Sequence, residues 1–194
     1  MTQHMFNLVR SMARHCMKGA VLEIGSYIER GQEHLNLREA FPTPTEYLGV
    51  DVNDGDGVDR QMDLLNPDQV ADVARDFAPT IILCLYVLEH VWEIRRAAQT
   101  LGGIWKQHPN AWLLVATHQN QSYHGTEKYQ DYWRITAEGL RRLMEEAGVD
   151  DSHILVEPDP TNPSDVLAVR QPAGMVWPAD EIATCAGGHP WFVA

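Results

Sequence analysis

Residues 21–25 read VLEIG and run straight into the polar stretch SYIERGQ. A short apolar run that meets a glycine and a polar loop is how the first strand of an open parallel sheet delivers its carboxyl end to a ligand. In such sheets the ligand lies in the crevice beyond the strand tips. Glu23, Gly25 and Ser26 are therefore expected at the edge of that crevice, and a nucleoside-type cofactor is the working idea. Upstream, Met5, Leu8, Val9, Met12 and Cys16 fall at helical spacing, with Lys18 in the last turn and Gly19 as the stop. The spacing predicts a helix over 5–18 that covers one face of the sheet.

Downstream the chain alternates strand and helix. Residues 26–41 are polar, with few large apolar side chains, and predict a long loop with a short helix at best. YLGVDV, residues 47–52, is a second short strand ending in an acid, Asp51, and NDGDGVD is a turn-rich loop. That loop is not an EF-hand, which needs a bidentate Glu at its last position and flanking amphipathic helices. Asn66 and Pro67 open a helix, with Gln69 placed for a capping box and Val70, Val73, Ala74 and Phe77 as its buried stripe. IILCL, residues 81–85, is the most hydrophobic run, as a central strand buried on both faces should be. Its tip leads into Tyr86, Glu89 and His90. A helix follows with Ile94, Ala98, Leu101 and Trp105 on one side, then a strand over 111–117. Residues 118–134 (HQNQSYHGTEKYQDYWR) are too long and polar for an ordinary connection and are a candidate substrate loop. Thr136 caps a further helix stapled by Ile135 and Leu140. Residues 154–156 and 166–169 are two short strands joined by EPDPTNPS, and a tail containing Trp177 and Trp191 ends the chain. Strand and helix in alternation indicate a doubly wound α/β fold, one domain with an N-terminal helix (1–19), a core (20–170) and a tail (171–194).

Composition narrows the partners. The 194 residues carry 27 acids against 15 bases, a formal net charge of -12, so the chain would repel a phosphate backbone, and nucleic acid is not expected as substrate. Cys16, Cys84 and Cys185 are odd in number and far apart, which suggests neither a disulfide framework nor a zinc site. No run approaches the ~18 apolar residues of a membrane span. A cytoplasmic protein is expected.

Taken together, VLEIG, YLGVDV, MDLLN, IILCLYVLEHVW and AWLLVAT resemble the successive motifs of class I S-adenosylmethionine-dependent methyltransferases. GQ, LEHV and the H……DYWRIT.EGL pattern are similar to a bacterial small-molecule group of these enzymes. The resemblance spans roughly 20–169. It implies a Rossmann-like, seven-stranded and mostly parallel sheet with one antiparallel strand and helices on both faces, S-adenosylmethionine as cofactor, and methyl transfer to a small polar acceptor such as a sugar or other metabolite. A non-catalytic methyltransferase-like binding module is the alternative. A dinucleotide oxidoreductase is disfavoured, because nothing between Gly25 and Gly31 supplies the G-x-G-x-x-G turn.

The resemblance also implies roles. Asp51 would accept hydrogen bonds from the two ribose hydroxyls through its one carboxylate, with Val52 beside it in the cofactor site. Asp63 would accept from the adenine amino group, with the amide of Leu64 donating to a ring nitrogen; the competing reading of Asp63 is a turn acid. Gly25 and Ser26 would meet the amino-acid end of the cofactor, Glu23 would order their loop, and Leu85 and Tyr86 would lie beside the sulfonium. Tyr27, where related loops carry another glycine, is expected to send the loop along a different path. Candidate catalytic groups are His124, His90 and Tyr86, and candidate acceptor-binding residues are His118, His124, Asp131 and Tyr132. Trp133 and Arg134 are read as a packed hinge. His118 and His124 lack an obvious third ligand, so no metal is expected.

Overall fold

The computed structural model describes residues 1–156 and 164–175, together with the backbone of 192–193. Its helices are α1 (Gln3–His15), α2 (Pro67–Asp76), α3 (Ile94–Gln107) and α4 (Ala137–Glu146). Its strands are β1 (Ala20–Ile24), β2 (Glu46–Asp51), β3 (Arg60–Gln61), β4 (Ile81–Leu85), β5 (Trp112–His118), β6 (His153–Val156), β7 (Asp165–Arg170) and β8 (Phe192–Val193). They form one sheet in the order β3-β2-β1-β4-β5-β7-β6-β8. Strands β3, β2, β1, β4 and β5 are mutually parallel, while β7 lies antiparallel between β5 and β6. The expected seven strands are thus present, and an eighth two-residue strand pairs antiparallel with β6 at the edge. The rest of the EPDPTNPS connection and of the tail, with Trp177, Trp191 and Cys185, lies outside the described residues. No helix among the described residues is long and apolar enough to cross a membrane.

Side chains alternate across the sheet, as the strand period of two requires. Leu22, Ile24, Ile82, Cys84, Leu113 and Val115 pack under α2, α3 and α4. Val21, Ile81, Leu83, Leu85, Trp112 and Leu114 pack under α1 and the 3-10 turns Glu33–Leu35 and Leu37–Ala40. The second layer is thin: short 3-10 turns stand where a full crossover helix would otherwise lie, because residues 26–41 hold too few apolar side chains at helical spacing. The chain also goes from β2 to β3 through a loop with no helix at all.

Several helix ends differ from the sequence expectation. Helix α1 stops at His15 rather than Lys18, because Lys18 turns back and its Nζ donates to the carbonyls of Ala13 and Arg14 (2.7 and 2.8 Å). Gly19, expected as a cap, instead lets β1 pass Thr80, whose Oγ1 would lie 2.3 Å from any Cβ at that position. At α2, Asn66 caps as expected, accepting from the amides of Asp68 and Gln69. The Gln69 side chain does not close a capping box; its Oε1 accepts from the amide of Asp63 (2.8 Å). Gly102 weakens α3 by about 1 kcal/mol relative to alanine but allows close packing on α4, since a Cβ there would meet the Ala147 carbonyl oxygen at 2.3 Å.

Candidate functional site

The carboxyl ends of β1, β2, β4 and β5 open on one cavity of about 260 Å³. One half is built largely from backbone. The amides of Gly25 and Ser26 both donate to the Val50 carbonyl (2.8 and 3.1 Å), folding the end of β1 over the end of β2. Gly25 holds φ +85°, and a Cβ there would strike Val87 at 2.2 Å, so the close approach requires glycine. Asp51 ends β2 with its Oδ1 accepting from the Asn53 amide (2.7 Å) and its Oδ2 from the Tyr27 amide (3.3 Å). Both of its oxygens are thereby fixed at the cavity wall beside Val52. Ser26 is buried, and its hydroxyl has no hydrogen-bond partner among the described residues. The Tyr27 ring lies over Gly55 and beside the Lys128 ammonium (5.3 Å), to one side of the cavity.

Glu23 also lines this half, nearly buried and accepting a hydrogen bond from the Tyr47 hydroxyl (2.6 Å). Burial pushes its carboxyl up to about 7, against the opposing effect of that hydrogen bond.

The other half is made of side chains. His90, His118 and His124 line it beside Leu85 and Tyr86. His118 is the last residue of β5, and its Nδ1 meets Asp165 Oδ1 at 2.8 Å. Asp165 Oδ2 accepts from the hydroxyls of Tyr86 (2.8 Å) and Thr2 (2.6 Å). Burial works to raise the Asp165 carboxyl, yet the hydrogen bonds from His118, Thr2 and Tyr86 hold it below the usual carboxylate range. Tyr86 itself takes φ +60°, a left-handed conformation unusual for an aromatic residue and of the kind that collects at functional sites. Its ring packs on His118, with centroids 4.4 Å apart.

His90 and His124 complete the group. Their rings meet edge to face at 5.0 Å, and His124 meets His118 at 4.9 Å. His90 Nδ1 lies 2.6 Å from the Gln130 carbonyl and His124 Nδ1 lies 3.1 Å from the Ser122 carbonyl. Burial pushes His90 down to about 4, so it is neutral at physiological pH. Beneath them Glu89 is fully buried, with Oε2 accepting from the Thr117 hydroxyl (3.1 Å). Burial pushes it up to about 7.

Four sequence-derived site residues are not brought to the cavity. Asp63 and Leu64 stand away from it, and Asp63 Oδ1 accepts from the Leu65 amide (2.8 Å) as a turn acid. Asp131 is closed off by a two-pronged pairing with Arg134 (2.6 and 2.7 Å), which holds its carboxyl well below the usual range. From there it reaches the site only through His124, accepting from its amide (2.9 Å). Tyr132 faces outward against Trp92 (5.4 Å). The hinge reading of Trp133 agrees with its position: it stacks on Trp92 (5.3 Å) and its Nε1 donates to the Val91 carbonyl (3.0 Å).

Sequence reasoning missed Glu89 and Asp165 as site residues. The signal for each is an acid set against a strand tip: Glu89 follows β4 within LEHV, and Asp165 opens the apolar run of β7.

No protein-family model and no curated protein sequence matches the chain. Solved structures do. The trans-methyltransferase CalH, solved with SAH (S-adenosylhomocysteine), superposes with a TM-score of 0.58 at 15% identity over 88% of this chain, which spans 57% of the CalH chain. The N-terminal domain of EvdMO1 with SAH bound gives 0.57 at 18% identity, covering 88% of this chain and 82% of that one. A methyltransferase from Thermobifida fusca, described as putative, gives 0.54 at 15% identity, covering 88% and 79%. Strand order, the reversed β7 and these superpositions agree: the fold of this chain is that of the class I S-adenosylmethionine-dependent methyltransferases.

Proposed function

We propose that the protein is an S-adenosylmethionine-dependent methyltransferase acting on a small polar acceptor. The supporting observation is a cavity that runs from Asp51 and the Gly25 turn to a cluster of three histidines. In the backbone-lined half, the carboxylate of Asp51, held by two amides, accepts from the ribose hydroxyls. The Gly25–Ser26 turn receives the amino-acid end. Leu85 and Tyr86 would hold the sulfonium end, next to His90, His118 and His124. Asp63 Oδ1 serves the turn before α2.

Methyl transfer is a displacement at carbon with a good leaving group, so alignment of acceptor, methyl and sulfur supplies most of the catalysis. An acceptor hydroxyl or ammonium must also lose a proton. His118, which lines the cavity, is placed to take it, because Asp165 orients the ring through Nδ1 and leaves Nε2 as its free lone pair. Turnover tests the proposal. S-adenosylhomocysteine release should rise above the acceptor-free rate with at least one class of small hydroxyl, carboxyl or amine compound. Cofactor binding without turnover on any class would move the reading to a binding module.

A further inference from the structure

The histidine cluster has the chemistry of a cation site. The ligand atoms of Glu89, His90 and His124 all lie within 4.8 Å of one another. His118 Nε2 stands 3.9 Å from Glu89 Oε1. Each histidine is anchored in the same sense. Carbonyl oxygens can only accept, so the Nδ1 atoms of His90 and His124, facing Gln130 and Ser122, carry the proton. His118 Nδ1 is turned to a carboxylate in the same way. The Nε2 atoms are left as lone pairs, the arrangement in which histidines ligate metals through one nitrogen while an outer acceptor holds the other.

Two of these atoms are buried without any hydrogen-bond partner among the described residues: Glu89 Oε1 and His124 Nε2. Glu89 is fully buried, and an unpaired carboxylate oxygen in such a place is costly unless a cation or proton meets it. A metal–ligand bond of about 2.0–2.2 Å sets neighbouring ligands of one ion roughly 3.4 Å apart, so the cluster has to close by only about 1.5 Å. His124 can make that movement because it sits on the irregular segment between β5 and α4.

We propose that Glu89, His90 and His124 bind one divalent cation of the zinc, iron or cobalt class at the acceptor end of the cavity, with His118 left beside it as the proton acceptor. Imidazole-rich sites with one carboxylate select such ions over magnesium and calcium, which prefer all-oxygen shells. The cation leaves a coordination position on the cavity side for an oxygen of the acceptor. This part rests on the methyltransferase reading. A coordinated hydroxyl ionises more readily. Its proton leaves to His118 or water, its oxygen forms the bond to the methyl carbon as the carbon–sulfur bond breaks, and neutral S-adenosylhomocysteine departs.

Metal binding is tested without any adenosyl compound, so its failure and that of the cofactor reading are separable. Chelator-stripped protein is titrated with Zn²⁺ by calorimetry and with Co²⁺ by visible absorption at neutral pH. One equivalent should bind saturably, with intensified cobalt bands. His124→Ala and His90→Ala should each weaken binding by about tenfold or more. Glu89→Gln should do the same without changing shape, and His34→Ala, on the exposed surface, should not. Thermal melts identify any variant that fails to fold. If a proton on His118 Nε2 satisfies Glu89 instead, the protein will show no saturable submillimolar binding. Either that result or equal affinity in the folded histidine variants overturns the proposal.

Discussion

The two halves of the cavity are built on different principles. Around Gly25 and Asp51 the wall is backbone, shaped by amides at adjacent strand tips and completed by one carboxylate within the first third of the chain. Around His118 the wall is side chain, drawn from Thr2, Tyr86, Glu89, His90, His124 and Asp165, and its carboxylates are buried. The first half depends on chain path, so single side-chain changes should alter ligand affinity while leaving the fold intact. The second is a buried polar network, where a change should alter stability and chemistry together.

Asp165→Ala breaks that contrast most severely if it is wrong. It strips three hydrogen bonds from one buried carboxylate, and removing one partner of such a network costs about 3–5 kcal/mol. Denaturant unfolding should show a loss near that size. The folded fraction should still bind S-adenosylhomocysteine with wild-type affinity; a parallel fall in affinity would show that the halves are not separable.

Glu23 sharpens the comparison from the backbone side, as a buried acid of that wall. Its carboxyl is raised from 4.5 to about 7. The unfolded chain releases this proton first, so stability is full below about pH 4.5 and is lost as pH rises toward 7, by about 2–3 kcal/mol. Glu89, raised to the same value, contributes over the same window, so Glu23→Gln should remove roughly half of that slope in the pH–stability curve. An unchanged curve would mean that Glu23 ionises in the folded protein as it does in the unfolded chain.

Two smaller effects probe the side-chain half. Tyr86→Phe removes one hydrogen bond to Asp165 and should destabilise by about 1–1.5 kcal/mol, while the ring keeps its place against His118. Arg134→Ala leaves Asp131 without its two-pronged partner and frees the segment carrying His124. Turnover should fall several-fold with cofactor affinity unchanged; a change in affinity alone would place the segment over the cofactor instead.

The same contrast explains what could be read from the sequence. Strands β1, β2, β4 and β5 are apolar runs whose period and length are local properties, and Asp51 and Gly25 follow from them because a strand tip is where the run stops. Strand β3 has only Arg60 and Gln61, too short for any pattern. Asp63 is open to two readings from sequence, and the Leu65 amide that its carboxylate serves lies two residues away, a contact with no periodic signature. Asp131 is polar in a polar loop, and only the fold shows that Arg134 closes it off. His118 is visible as a loop histidine, but its partner Asp165 lies 47 positions away and joins it only because β7 inserts antiparallel beside β5. The acid that gathers with His90 and His124 is Glu89, hidden in an apolar stretch after β4.

Calorimetric titration with S-adenosylhomocysteine, on wild-type protein and on Asp51→Ala, decides whether the strand-tip crevice is a cofactor site. The expected result is one site of micromolar affinity, weakened about 5- to 150-fold by the mutation, equivalent to about 1–3 kcal/mol for unpaired ribose hydroxyls, with an unchanged melting curve. A folded wild-type protein that binds nothing, or a variant that binds as tightly as wild type, would contradict it.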